Sequence, residues 1–267
     1  MLGTDIVGLC QEKGIEVQGL DLPEFDITDT AQLTEAVKGS ETVINCAAYT
    51  NVEKAESEPE IAYKVNAEAV GRLGETAKAA GAAVLHISTD FVFDGQSDLP
   101  YIETDPMNPI SAYGRSKAGG EKLLTETAGR FCIVRVQWTY GINGSNFVKK
   151  LIELARAGKS LRVVDDQTGS PTATVEAASS ICQLLEDMPQ GIFHFAAAGF
   201  VSRYDMAKFM FDKLGMKVKL SRCKTSEYAA AAARPLNSCF DCSKIQSLLD
   251  EPIKPWQEPL EHFLEQI

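Results

Sequence analysis

A doubly wound α/β fold, in which helices cover both faces of a parallel sheet, is the architecture that this 267-residue sequence predicts. Three observations predict it. Short β-branched runs alternate with longer amphipathic stretches, the short runs are apolar nearly throughout, and glycines close several of the stretches between them. A run that is apolar on both faces belongs to a strand buried on both faces, and parallel strands need long crossovers, usually helices, to reach one another.

In chain order, Thr4–Lys13 reads as a helix stopped by Gly14, and Ile15–Leu20 as a strand. Thr30–Lys38 reads as a helix, Thr42–Cys46 as a strand, Glu60–Ala80 as a long helix stopped by Gly81, and Ala83–Ser88 as a strand. Ala112–Thr127 and Phe131–Val136 continue the rhythm as helix and strand. After Tyr140 loops rich in Gly, Asp, Pro and Thr (Gly141–Ser145, Asp165–Thr172) interrupt it, before Ile192–Ala196 returns to the sheet. Helices over Arg203–Leu214, Ser243–Leu249 and Trp256–Glu265 follow, with a helical turn expected at Ala229–Ala233.

Composition narrows the function classes. Hydrophobic residues make up 45% and charged residues 24%, enough for a real core. The net charge is −11 and no Lys/Arg cluster stands out, which argues against nucleic acid or an anionic membrane as partner. No apolar run approaches the roughly 20 residues that span a bilayer, and no basic segment leads into an apolar one at the N-terminus. Seven cysteines, an odd number, fit reduced thiols and a cytoplasmic protein. Cys239 and Cys242 form a single CxxC without two further ligands nearby, so no metal is expected.

The chemistry-bearing constellation is Ser88-Thr89-Asp90 at a strand end, followed by Tyr113-Gly-Arg-Ser-Lys117. Ligands of doubly wound sheets bind outside the carboxyl ends of the strands, where Thr89 falls. Tyr113 and Lys117 are four residues apart and share a helix face. An ammonium beside a phenol is expected to lower its pKa, giving a proton donor for a developing alkoxide, with the Thr89 hydroxyl to hold the carbonyl oxygen. The spacing recurs at Tyr204…Lys208, but beside Met206, Phe209 and Met210 and with no hydroxyl-bearing strand end before it, so that copy reads as ordinary helix surface. Asp21, closing the run Ile15–Leu20, is placed either to accept the ribose hydroxyls of a dinucleotide or as a turn residue before Pro23. His86, His194 and His262 read as satisfied or exposed histidines, and Trp138, past a strand end, as core or as a platform for a sugar or base.

These residues resemble the dTDP-4-dehydrorhamnose reductase family of extended short-chain dehydrogenases/reductases. The matching segments run in order along nearly the whole chain: Leu20-Asp21 with Phe25–Asp29, Asn45–Glu56, Ser88–Gly95, Tyr113–Lys117, Trp138–Gly141, Asn146–Val148, Asp166–Thr172 and Arg234–Ser238. The resemblance implies a Rossmann-like dinucleotide-binding domain (residues 1–140 plus 173–197) and a smaller C-terminal substrate lobe (141–172 plus 198–267). It implies reduction of the C4 ketone of dTDP-4-dehydro-L-rhamnose by NADH or NADPH, with Tyr113 as proton donor and Lys117 on the nicotinamide ribose. Thr89, Asp90, Trp138, Asn146 and Arg234 are implied for the nucleotide-sugar side. Met1, Leu2, Asp21, Asp26, Ile27, Ala47, Ala48, Tyr49 and Asn66 are implied for the cofactor. Asp21 would repel a 2′-phosphate, so NADH is the expected preference.

Three departures qualify the likeness. Phe91 stands where the family usually has Tyr. Val175 stands where some members carry a glutamate that helps hold magnesium between subunits, so no metal is carried over, and monomer and homodimer both stay open. The chain opens Met1-Leu2-Gly3-Thr4, matching only the tail of a Gly-rich turn, so the sheet is expected to lack its first, central strand and to bind NADH poorly. Two other readings stay open: a nucleotide-sugar epimerase or dehydratase sharing the Tyr/Lys pair, and a non-catalytic subunit like the regulatory subunit of methionine adenosyltransferase.

Overall fold

The computed structural model describes residues 1–267. Its main sheet has four parallel strands in the order Thr42–Asn45, Ala83–Thr89, Arg130–Val136, Gly191–Phe195. Side chains alternate across it, and both faces are covered. Leu85, Cys132, Val134 and Phe193 pack with Ile6 and Cys10 of the Leu2–Glu12 helix and Ile181 and Cys182 of the Thr174–Asp187 helix. Val84 and Ile133 join Leu33, Val70, Leu73 and Leu124 of the helices Thr30–Val37, Ala69–Ala80 and Ala112–Thr127. Each such side chain, removed from water, contributes about 1.5–3 kcal/mol, and the two layers together fix which residues reach the strand ends.

A third core lies beyond the sheet. Val148, Leu151 and Ile152 recur at helical spacing along Phe147–Arg156 and pack with Met206 and Met210, Trp256, Leu260 and Phe263. There Leu161–Val164 pairs in parallel with Leu220–Cys223. The irregular sequence after Tyr140 concealed both this pair and the Phe147–Arg156 helix.

Four expectations are corrected. Ile15–Leu20 forms no strand: Ile15 and Leu20 are exposed, and no chain segment pairs with them or with the outer edge of Thr42–Asn45. A strand's backbone groups need ladder partners, and an apolar run cannot supply them itself. The long helix Glu60–Ala80 is three pieces, Pro59–Tyr63, a π-turn Lys64–Glu68 and Ala69–Ala80, closed as expected by Gly81 in the left-handed region (φ 76°). Ala229–Ala233 is a bend, not a helical turn, held by the Glu53 carboxylate accepting from the Ala231 and Ala232 amides. The Ser243 helix stops at Gln246, short of Leu249.

Candidate active site

Thr89 closes its strand and caps the short helical turn Asp90–Val92, its hydroxyl accepting from the Phe91 amide (3.3 Å) and donating to Asp90 Oδ1 (2.9 Å). Ser238 Oγ donates to the other Asp90 oxygen at 2.5 Å. Burial raises the Asp90 pKa more than these two hydroxyls and Arg203 lower it. Tyr113 and Lys117 project from the first turns of Ala112–Thr127, a helix started by Ser111 accepting from the Gly114 amide (3.0 Å). The structure therefore gathers Thr89, Asp90, Tyr113 and Lys117 at one strand end.

One electrostatic expectation is overturned. Burial, then the Asp90 carboxylate, push the Tyr113 phenol well above its ordinary pKa, with only Thr89 opposing. The Lys117 ammonium is turned to the strand instead, donating to the Ile87 carbonyl (2.7 Å) and to His86 Nε2 (3.2 Å). Burial pushes Lys117 down to about 8, against the pull of Glu121 and Cys46. An ammonium only donates, so Nε2 is the accepting nitrogen of His86, whose Nδ1 lies 3.1 Å from Asn45 Nδ2. With Nε2 accepting, the ring proton sits on Nδ1, so His86 has Lys117 as its hydrogen-bond partner on one side and faces a second donor, Asn45 Nδ2, on the other.

Behind this pair lies a buried network absent from the sequence reading. Glu121, one helical turn past Lys117, takes a bidentate ion pair from Arg135 (2.9 and 2.7 Å) and a hydrogen bond from Ser88 (2.5 Å), and Arg135 also meets His194 (3.2 Å). The i, i+4, i+8 series Tyr113, Lys117, Glu121 was the available signal. Asn66, in the π-turn, accepts from the Tyr49 amide (2.8 Å) and donates to the Tyr49 carbonyl (3.1 Å) and Ser116 Oγ (2.9 Å), tying the Asn45–Tyr49 strand end to the same helix.

The other sequence-derived candidates are more scattered. Ala47 follows a turn made by Asn45 Oδ1, and the Tyr49 hydroxyl donates to Glu58 (2.6 Å). Asp26 accepts from the Thr28 amide (2.8 Å), whereas the Ile27 side chain is buried in the core and only its backbone could face a ligand. Asp21 is exposed and accepts from its neighbour Leu22 (2.8 Å). Met1 precedes a helix N-terminus that has no side-chain cap, and Leu2 packs on the sheet. Asn146 caps Phe147–Arg156, accepting from Lys149 (3.1 Å) and donating to the Gly141 carbonyl (2.8 Å). Arg234 is taken up by Glu53 and by the Ala232 carbonyl (3.1 Å). Trp138, at φ 46°, has the Arg203 guanidinium 3.5 Å above its ring, so that face is covered. Arg203 had no sequence signal; a tertiary approach brings it there.

The RmlD substrate binding domain family matches residues 1–267. The chain belongs to the dTDP-4-dehydrorhamnose reductase family. A dTDP-4-dehydrorhamnose reductase of Aggregatibacter actinomycetemcomitans is 38% identical, over 98% of this chain and 94% of that protein. The crystal structure of one from Clostridium acetobutylicum superposes with a TM-score of 0.94 at 36% identity, covering 99% and 95% of the two chains. Another from Bacillus anthracis, solved in complex with NADP, gives 0.95 at 34% identity, covering 100% and 95%. Family membership and the α/β architecture thus agree with the resemblance seen in the motifs.

Proposed function

We propose that this chain reduces the C4 ketone of dTDP-4-dehydro-L-rhamnose to dTDP-L-rhamnose with a nicotinamide cofactor. The observation that carries the reading is the convergence of Tyr113, Lys117, Thr89 and Asp90 at the carboxyl end of one strand in a chain of this family. Two of the three Lys117 N–H groups are taken by Ile87 and His86, which leaves one for a ribose hydroxyl, and the uncapped first turn of Leu2–Glu12 leaves amides for a pyrophosphate. These residues fit a dinucleotide, with Asp21 at its adenosine ribose and Asp26, Ala47, Ala48 and Tyr49 along it. A bound nicotinamide supplies the hydride.

The protein's own part is proton transfer and orientation. Tyr113, kept neutral by its surroundings, gives its proton to the oxygen that was the ketone. The Thr89 hydroxyl turns from Asp90 to that oxygen and stabilises its growing charge. Division into two lobes, 1–140 with 173–197 and 141–172 with 198–267, follows the bulk of the two apolar cores, although Ile245 joins the sheet core and Tyr140, Ala173 and Ala197 join the other. Seven unpaired thiols suit a reducing compartment such as the cytoplasm.

The test is NADH oxidation with dTDP-4-dehydro-L-rhamnose, beside the UDP- and GDP-4-keto sugars. Turnover confined to the dTDP substrate supports the reading, and a folded protein inert with all three rejects it. NADH is proposed as the preferred cofactor, because exposed Asp21 can accept a 2′-hydroxyl and would repel a 2′-phosphate. Asp21→Ala should narrow the gap, and equal kcat/KM for NADH and NADPH in the wild type would reject the assignment.

A further inference from the structure

Arg203 opens the Arg203–Lys213 helix, half-buried, with its guanidinium 3.5 Å over Trp138 and 4.8 Å from the ring of Phe147. Two aromatic rings hold the plane of the guanidinium and leave its N–H edge free. No carboxylate pairs with it: Asp90 and Arg234 act on it only at longer range, and the Asp90 oxygens are engaged by Thr89 and Ser238. Arg222 makes the contrast. It stacks on Tyr204 at 4.4 Å and is ion-paired to Asp165 (3.6 Å) and Asp205 (3.2 Å). In a chain of net charge −11, a guanidinium with no ion-pair partner makes a local positive site, since Asp90 spends its oxygens on Thr89 and Ser238 and Arg234 is taken up by Glu53.

We infer that Arg203 is the anion-recognising residue of the substrate cleft, donating from its free edge to the diphosphate of the nucleotide sugar. The inference rests on the proposed nucleotide-sugar reaction. A planar, oriented guanidinium matches phosphate oxygens bidentately, and the contact between Thr89 and Asp90 places it beside the sugar end of the site. Burial disfavours the charge of the Arg203 guanidinium, and a bound diphosphate would offset that cost. The same stacking covers one face of Trp138, so that face is closed to a ligand.

The experiment is calorimetric titration of the whole chain with thymidine diphosphate and with thymidine, for the wild type, Arg203→Gln, Arg203→Lys and Arg222→Gln, with a melting curve for each. The wild type should bind the diphosphate more tightly than the nucleoside. Arg203→Gln should weaken the diphosphate about ten- to a hundredfold, the range of a charged hydrogen bond, and leave thymidine unchanged. Arg203→Lys, which keeps charge without the fork, should fall between, and Arg222→Gln should match the wild type. Equal diphosphate binding by wild type and Arg203→Gln overturns the inference, as does failure of the wild type to favour the diphosphate. Should Arg203→Gln lose its melting transition, full affinity in Arg222→Gln with unchanged diphosphate-over-thymidine preference in Arg203→Lys also overturns it, because charge alone would then suffice without the oriented fork. A wild type that reduces the keto sugar but ignores the diphosphate sinks this inference alone. One that binds the diphosphate through Arg203 yet oxidises NADH with no 4-keto sugar sinks the reductase reading and leaves the anion site standing.

Discussion

Whether Tyr113 can donate a proton turns on its phenol being neutral when the ketone arrives, and burial with Asp90 beside it keeps it so. Tyr113→Phe should lower kcat by about 10²–10⁴ with ligand affinity nearly intact, while Tyr204→Phe, in a ring stacked under Arg222, should change little. Near-wild-type turnover in Tyr113→Phe would end the assignment. Lys117 adds a pH dependence. Its pKa is depressed by burial from 10.5 to about 8, so a step that needs the ammonium weakens as pH rises through that value. Stability runs the other way: between about 8 and 10.5 the unfolded chain holds a proton that the folded one lacks, so this group adds stability as pH rises. A kcat/KM profile for the wild type should therefore fall above about pH 8, and a flat profile to pH 9.5 would show that the charge on Lys117 is dispensable.

Elements hold these residues by close approach as much as by apolar burial. Gly120 lets the Ala112–Thr127 helix lie against the π-turn, since a methyl there would stand 2.1 Å from the Asn66 carbonyl oxygen. Backbone cannot yield as a side chain can, so Gly120→Ala should cost about 1–3 kcal/mol or more and lower Tm by several degrees. Gly8→Ala meets nothing within 4 Å in the middle of Leu2–Glu12 and should stabilise by about 0.5–1 kcal/mol. Melting curves that rank the two the other way would refute the packing argument. The contrast also marks what sequence could convey. Apolar runs revealed all four strands of the sheet, and the Ala112–Thr127 helix was read to its ends, because burial on both faces leaves a local signature. Ile15–Leu20 carries that signature without a partner to pair with, and the π-turn at Asn66 adds a widening that periodicity does not encode. Thr89, Asp90, Tyr113 and Lys117 were legible as a group because a strand end and a four-residue spacing are local. Arg203, His86 and Glu121 act through contacts made only when distant segments meet.

At the scale of the whole molecule, the segment Tyr228–Arg234 reaches back to the Val52–Ser57 helix and is held there by one residue. Glu53, on the Val52–Ser57 helix, accepts from the Ala231 amide (2.7 Å), the Ala232 amide (3.2 Å) and the Arg234 guanidinium. Burial pushes the Glu53 carboxyl up, but Arg234 and the two amides outweigh it and leave its pKa lowered. The clasp is therefore complete above the ordinary glutamate range and is lost as pH falls through the lowered value. Both side chains are partly exposed, so the ion pair is worth only about 1 kcal/mol or less, and its role is to order a local segment more than to stabilise the fold. Glu53→Gln removes the charge and keeps one acceptor oxygen. Its Tm should stay within a few degrees of the wild type, amide exchange at Ala231 and Ala232 should speed up about tenfold, and KM for the nucleotide sugar should rise with little change in kcat. Hydrogen exchange read by mass spectrometry on the peptide spanning Tyr228–Asn237 checks this directly. Exchange no faster than in the wild type would mean that Glu53 does not hold the segment, and that the contacts of Asn237 with the Ser97 and Leu99 carbonyls (2.7 and 3.0 Å) suffice to anchor it.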